Sequence, residues 1–351
     1  MSITNLRLRI DMSGGTYGKK LWIGIGISVF FMFLLFRKVD LHKMVSALGE
    51  MDCIYILPAI VSNFISYFFR AVRWKYLLTP LKRTRFRNLF PATIIGYMAN
   101  NLLPARLGEF VRAYVLGEKE SLGFGAVFAS LVIDRLFDGF SVLMILLFTC
   151  FTVVLPPGKE PVQHGLVMGG YLTLAVYFAI VLFLVFLKKR TVKTIAIVAS
   201  LLKPFPARVS EKVIHLIGSF LDGIRLSSRP QDLFAVVFTS FLIWFFAIWP
   251  IDLILRSFGI VFPITNTMLL MVFLVVAVMV PASPGYVGTY HAACVYGLMA
   301  FNIQKERALS VALIIHGVNF FPVILAGLYY LWRENISLKA VEESSARGLD
   351  V

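Results

Sequence analysis

The sequence predicts an all-α, polytopic integral membrane protein with about six full spans and two opposed re-entrant helical hairpins, arranged like an inverted repeat. Three observations carry that expectation. The chain of 351 residues is 59% hydrophobic and 15% charged, with a mean hydropathy of +0.82, which leaves too little polar surface for a soluble core. The Lys and Arg residues behind its formal charge of +15 cluster at the ends of apolar runs. That is the positive-inside pattern, with attraction to anionic lipid as a secondary reading, and it excludes a nucleic-acid-binding stripe. Two apolar stretches are broken by Pro and Gly, and broken helices at membrane depth line cavities.

Residues 1–20 carry Arg7, Arg9, Lys19 and Lys20 and read as a cytoplasmic arm. The apolar run 21–36 closes on Phe36, Arg37 and Lys38 without a small-residue cleavage site, so it reads as a first span rather than a secretory signal. Residues 38–50 suit a brief interfacial helix. The second span, 53–78, leads into Lys82, Arg83, Arg85 and Arg87, the strongest basic cluster, and Arg70 and Arg73 near its end read as interfacial anchors, with Arg70 deep enough to face the cavity. Residues 89–101 and 105–117 are each too short to cross alone and suit half-helices. A long span, 124–155, contains Asp134, Arg135 and Asp138 and stops at Pro156-Pro157-Gly158. These charges are expected near the cytoplasmic interface, supporting Arg106 or Arg112.

The span 165–187 ends in Lys188, Lys189 and Arg190. In the insert 188–230, Val209, Val213, Leu216, Ile217, Phe220, Leu221 and Ile224 recur at helical spacing, which predicts an amphipathic helix on the cytoplasmic leaflet. Then come a span at 233–255, half-helices at 267–280 and 291–302 around the break 281–290, a last span at 309–332, and a polar tail, 333–351, expected to be partly disordered. The domain reading is therefore an arm (1–20), a transmembrane domain (21–332) and a tail. The transmembrane domain divides into repeat 1, about 21–155, and repeat 2, about 165–332.

Parity sets the hairpins. The basic segments at 82–87 and 188–193 lie on one side, and the spans 124–155 and 165–187 already make a return trip between them. Residues 89–117 must then leave and re-enter the cytoplasmic face, and 264–302 must do the same from the outside. Sliding the chain by 180 positions superposes Pro104 on Pro284, Gly108 on Gly288 and Gly117 on Gly297. Broken helices in matching places of an inverted repeat point to a transporter-like site near the midplane.

The polar chemistry concentrates in the first hairpin. Asn100, Asn101, Arg106, Glu109 and Arg112 interrupt an otherwise apolar stretch. Arg106, Glu109 and Arg112 are three apart, hence on one face of a helix starting near Ala105. The free amides of that helix start and a planar guanidinium both suit phosphate. Asp134, Arg135 and Asp138 are candidate charge partners. In the second hairpin Tyr286, Tyr290 and His291 flank the break, and His291 reads either as a proton carrier or as a neutral, hydrogen-bonded side chain. Cys53, Cys150 and Cys294 have no metal or redox spacing, and no nucleotide-binding fingerprint occurs. No metal or other cofactor is expected.

The segments NNLLPARLGEFVRA (100–113), VIDRLFDGF (132–140) and PASPGYVGTYHAA (281–293) resemble the lysylphosphatidylglycerol synthase transmembrane family, also called flippase-like domain proteins. The family often reads PGGxGxxE in the second hairpin, where this chain has Tyr286 for a Gly and His291 for the Glu. The resemblance implies a multipass protein of a bacterial or archaeal inner membrane that handles lipids, as a stand-alone member without the synthase domain. Expected partners are membrane lipids, anionic ones above all, with no nucleic acid. An envelope lipid-modifying enzyme and a second copy of the chain stay open as partners. The function expected is movement of an anionic phospholipid or polyprenyl-phosphate-linked lipid between leaflets by a protein that is not an enzyme. Two alternatives stay open: a membrane enzyme acting on a lipid-phosphate, with Glu109 or Asp134 as base, and a non-transporting lipid-binding partner of an envelope enzyme.

Overall fold

The computed structural model describes residues 39–103, 107–202, 207–279 and 284–336, together with Phe33. The amino-terminal arm, the expected first span apart from Phe33, Arg106, the break at 281–283 and the tail beyond 336 lie outside them. Among the described residues every regular element is a helix. A short helix α1 (Leu41–Gly49) is capped by Asp40, whose carboxylate accepts from the amides of His42 and Lys43. It leans on the last helix through the Ser310 hydroxyl, which donates to the Met44 carbonyl at 2.9 Å. Helix α2 (Ile56–Leu78) follows a single 3₁₀ turn, and α3 (Phe86–Leu102) and α4 (Gly108–Glu120) form the first hairpin. Then come α5 (Phe124–Thr152), α6 (Glu160–Lys189), α7 (Thr191–Leu201) and α8 (Ala207–Gly223). Helix α9 (Pro230–Ser257) precedes the second hairpin, α10 (Ile264–Met279) and α11 (Thr289–Ala300), and α12 (Lys305–Arg333) closes the described fold.

Four of these helical stretches are long and apolar enough to cross a bilayer: Cys53–Leu78, Glu160–Lys189, Pro230–Ser257 and Lys305–Arg333. Helix α5 is of similar length and carries its three charges in its first half. The helices α2, α3, α4 and α5 recur in the same order as α9, α10, α11 and α12.

The hairpins point at each other. The base of the first adjoins the start of α5, where the Leu122 amide in the turn between them donates to the Gly117 carbonyl at 2.9 Å. The base of the second packs with residues that follow the other end of α5, since Val153 and Leu155 share a cluster with Leu269 and Ala300. Their tips meet: the Tyr286 hydroxyl donates to the Asn100 carbonyl at 2.8 Å. Each hairpin has its own apolar core. One joins Leu89, Ile95, Val111 and Leu116 to Trp74 and Leu131, and the other joins Leu270, Leu274 and Leu298 to Ile251 and Ile315. Lipid tails are as apolar as these side chains, so close packing and hydrogen bonds hold such helices together. Two serine hydroxyls illustrate this, Ser62 and Ser66 donating to the Phe246 and Ile243 carbonyls at 3.1 and 3.0 Å.

The closest approach is in the first hairpin. A Cβ on Gly108 would lie 2.0 Å from the Gly96 carbonyl oxygen, and one on Gly96 would lie 2.0 Å from Arg112 Cγ. The helices of the first hairpin therefore touch backbone to backbone, the small-residue contact of membrane helices. Gly96→Ala and Gly108→Ala are each expected to lower stability by about 1–3 kcal/mol. Thermal melts in detergent should show this against Gly165→Ala, whose Cβ meets nothing.

The expected amphipathic segment is the helix α8. Rather than resting on lipid alone, α8 docks on α5, where a Cβ on Gly223 would lie 2.7 Å from Ala126 Cα and one on Gly125 would lie 2.9 Å from the Leu216 carbonyl oxygen. Lys188 ties the seam by donating to the Leu221 carbonyl at 2.6 Å. Only glycine backbones let two helices cross this closely.

At its base the first hairpin is pinned by Glu120, which accepts from Asn88 Nδ2 at 2.8 Å and the Arg85 amide at 3.2 Å, and pairs with Lys82 at 3.1 Å. Burial alone raises the carboxyl, but the bonds from Asn88, the Arg85 amide and Lys82 outweigh it and hold the group below its ordinary value. A carboxylate depressed in the fold contributes stability above its unfolded value, about 4.3, and loses it as pH falls through the folded value. Glu120→Gln is expected to lower the melting temperature at neutral pH and to flatten its fall below about pH 4.3, as pH-resolved melts would read.

Candidate functional site

Two guanidinium groups stand at the centre of the molecule, both with no exposed surface, and their surroundings differ. Arg73 of α2 is saturated. Its Nε donates to Asp134 Oδ1 at 2.8 Å, Nη1 to Ser240 Oγ at 3.0 Å, and Nη2 to Asp138 Oδ1 at 2.7 Å and to the Asp134 carbonyl at 3.3 Å. Ser240 is itself aimed by donating to the Val236 carbonyl at 2.7 Å, so α9 takes part. Arg112 of α4 is not saturated. It makes one hydrogen bond, Nη2 to Thr93 Oγ1 at 3.5 Å, and faces Asp134 Oδ2 across 3.6 Å. Its Nε and Nη1, and Asp134 Oδ2, have no hydrogen-bond partner. The Trp74 ring faces its guanidinium at 4.4 Å, and Ser130 orients that ring by accepting from its Nε1 at 2.9 Å.

Around this pair the cluster continues. Arg70 Nη1 donates to Asp138 Oδ2 at 2.8 Å. Arg135 reaches Asp138 Oδ2 at 2.9 Å, Glu109 Oε1 at 3.1 Å and the Tyr97 hydroxyl at 3.0 Å. Tyr97 is a hub, with the guanidinium carbons of Arg70, Arg112 and Arg135 all 5.5 to 5.7 Å from its ring centroid. Among the described residues the centre thus holds four guanidiniums, Arg70, Arg73, Arg112 and Arg135, against three carboxylates, Glu109, Asp134 and Asp138. It is net positive, and Arg73, Arg112 and Asp134 at its heart have no exposed surface, while Arg135 at its edge is 32% exposed.

The structure brings together most of the residues singled out in the sequence. Asn100 organises the first hairpin tip, its Oδ1 accepting from the Gly108 amide at 2.8 Å and its Nδ2 donating to Glu109 at 3.3 Å. Asn100 thereby occupies part of the helix start that was expected to be free for phosphate. Glu109 meets Arg135 of α5. Asn101 is half-buried and makes no hydrogen bond among the described residues, and Arg106 lies outside them. Tyr286 reaches the tip of the first hairpin through its hydroxyl. It does so from a left-handed backbone (φ 56) between Gly285 (φ 76) and Gly288 (φ 94), a conformation that costs a bulky residue about 1–3 kcal/mol.

Tyr290 and His291 belong elsewhere. The His291 and His316 rings stack at 4.7 Å, Tyr290 sits edge-on to His316 at 5.2 Å, and His291 Nδ1 accepts from the Gly288 amide at 3.3 Å. That acceptor role is the one a neutral imidazole plays.

Two expectations are corrected. Arg70 and Arg73 are not interfacial anchors but the principal partners of Asp138 and Asp134. Two of the three charges of α5 are not at a water boundary, since Asp134 has no exposed surface and Asp138 is 7% exposed, whereas the Arg135 side chain is 32% exposed; the expected pairing with Arg112 is met by Asp134 at 3.6 Å. The sequence reading also passed over Trp74, Thr93, Tyr97 and Ser240. Their one sequence signal is position, Trp74 following Arg73, and Thr93 and Tyr97 one helical turn apart in α3.

A buried, net-positive centre held between the first hairpin and helices α2, α5 and α9 defines a class, a multipass membrane protein with a polar site inside its helix bundle. The chain belongs to the lysylphosphatidylglycerol synthase transmembrane-region family, whose model matches residues 21–327. Its relatives include a UPF0104 membrane protein of Methanocaldococcus jannaschii, 23% identical over 85% of this chain and 90% of the relative. A UPF0104 membrane protein of Pyrococcus horikoshii is 25% identical over 89% of this chain and 96% of its own length. Glycosyltransferase AglD of Haloferax volcanii is 26% identical over 93% of this chain, a match spanning 56% of that protein. No solved structure matches the chain.

Proposed function

We propose that the protein moves an anionic lipid, a phospholipid or a polyprenyl-phosphate-linked species, between leaflets, and that Arg112 is its headgroup ligand. The observation that carries this reading is the contrast between two equally buried arginines. Arg73 uses its donors on protein, whereas Arg112 has Nε and Nη1 to spare in a net-positive centre. A buried charged donor without an acceptor is costly, and a phosphate oxygen is a well-matched acceptor. The centre lies near where the hairpin tips meet, and the repeated order of helices supports an inverted repeat with repeat 1 about 21–155 and repeat 2 about 165–332. In this reading the arm and the 82–87 loop are cytoplasmic, the hairpins expose the centre to each face in turn, and acyl chains stay in the bilayer. Lipid identity, any coupling ion, and pairing with an envelope enzyme or a second copy are left to experiment.

Reconstitution into liposomes with leaflet-specific quenching of a fluorescent lipid tests it. Wild-type protein should equilibrate an anionic lipid, and Arg106→Ala and Glu109→Ala should slow it. Movement unchanged in both variants sinks the mechanism. A second reading, a membrane enzyme on a lipid-phosphate, is favoured by the similarity to the Haloferax glycosyltransferase, of which the match spans 56%. Product formed from a lipid-phosphate by the purified chain would select it.

A further inference from the structure

A second polar site lies away from the charged centre, in the seam where α8 docks on α5. A cleft of about 450 Å³ opens there, walled by Leu81 and Ala126 and edged by His215, Ser219, Asp222 and Arg225. That volume is in the range of small-ligand sites. Gly218 forms part of its lining. The glycines at the α5–α8 crossing, Gly125 and Gly223, are pressed by neighbours that a side chain would strike, but a Cβ on Gly218 meets nothing within 4 Å. Glycine in a helix interior is unfavourable, and here packing gives no reason for it. What the missing side chain does is keep the cleft open.

The polar groups at its edge carry opposite charges and are unused. His215, Ser219 and Asp222 fall on one face of α8 by their spacing of four and three, with Arg225 just past its end. Asp222 and Arg225 are exposed and three residues apart, yet they do not pair, and among the described residues neither has an ion-pair or side-chain hydrogen-bond partner. One guanidinium and one carboxylate make a site with no net charge but a strong internal polarity. It sits at the end of α5 beside the basic 82–87 loop, where a membrane protein meets headgroups.

We propose that this cleft binds a phosphate ester bearing a cationic amine, the chemistry of a zwitterionic phospholipid headgroup. Arg225, His215 and Ser219 donate to the phosphate, and Asp222 takes the ammonium. The site differs in kind from the charged centre, where positive charge is in excess. It requires that the chain sit in a membrane and does not depend on lipid movement, so it stands or falls separately from the translocation reading.

The test uses the full chain in detergent, with exposed Cys53 replaced by Ser and Gly218→Cys introduced. Cys294 is buried and Cys150 half-buried. Alkylation of the new thiol by a maleimide is followed with short-chain phosphatidylethanolamine, short-chain phosphatidylglycerol or soluble phosphoethanolamine. The ethanolamine lipid should slow alkylation by about tenfold at saturation, and phosphatidylglycerol should not. Asp222→Asn or Arg225→Gln, both at exposed positions, should each remove the protection. No protection by the ethanolamine lipid overturns the site. Equal protection by phosphatidylglycerol with Asp222→Asn silent overturns the ammonium assignment. Protection by phosphoethanolamine at the lipid's concentration keeps the chemistry and overturns the lipid source. Gly218→Leu, which fills the cleft, should abolish ethanolamine-lipid binding at the cleft in native mass spectrometry without lowering the melting temperature, since it also relieves the cost of a mid-helix glycine.

Discussion

Arg73→Ala is expected to destabilise the protein by about 3–5 kcal/mol, more than any other single substitution proposed for this chain. The reason is what it leaves behind. Asp134 and Asp138 lose three hydrogen bonds from one guanidinium, at 2.8, 2.7 and 3.3 Å, and Ser240 loses its donor. Arg112 is 3.6 Å from Asp134 and too poorly placed to replace it. Two carboxylates would then lie in an apolar interior with reduced compensation. The check is a double-mutant cycle in detergent melts. Asp134→Leu alone should be severe for the mirror-image reason, a stranded guanidinium. Arg73→Met with Asp134→Leu should recover a large part of the loss, because apolar replacement of a whole buried pair is often near neutral. A double variant as damaged as the sum of the singles would mean that the pair holds α2, α5 and α9 in place by more than charge.

Arg112→Ala is expected to leave the fold more stable than Arg73→Ala does and to cut lipid movement on the order of a hundredfold. The two arginines are buried alike, so a purely structural role predicts comparable stability losses. The protein-side bonding of Arg112 is one long hydrogen bond, a 3.6 Å ion pair with Asp134 and the Trp74 and Tyr97 rings. Arg112→Lys should fall between, because it keeps the charge and loses the planar fork that matches phosphate. Liposome assays and melts on the same preparations separate the effects. Equal stability loss in Arg73→Ala and Arg112→Ala, with activity tracking it, would return Arg112 to the role of a structural ion pair.

The architecture was largely legible in the sequence because it depends on local signals. Pro and Gly breaks, the length of apolar runs and the sides of basic segments place helices and hairpins without knowledge of contacts. The expected half-helices 89–101 and 105–117 appear as Phe86–Leu102 and Gly108–Glu120, and the amphipathic run as Ala207–Gly223. The site was legible in outline, since charges inside apolar segments are expensive and therefore conspicuous. Its pairing was not. Arg73 and Asp134 are 61 residues apart, and a basic residue near a helix end reads equally well as an anchor at the water boundary. Trp74 and Tyr97 were hidden by their company. In a chain with 32 Phe, 13 Tyr and 5 Trp, two aromatic residues draw no notice until three guanidiniums are seen around one ring.

The glycine contact in the first hairpin has a consequence for affinity. Where Gly96 lacks a side chain, the stem of Arg112 lies against bare backbone, and its head lies on the Trp74 ring. A long side chain on a surface keeps many rotamers and must surrender them when a ligand arrives, at a cost of about 0.5–1.5 kcal/mol. Confined between backbone and indole, Arg112 has already surrendered them when the hairpin folds. The unused donors are thus held in a fixed direction before any ligand is present, so that under the translocation proposal a headgroup is gripped and released without a side chain reordering at each passage.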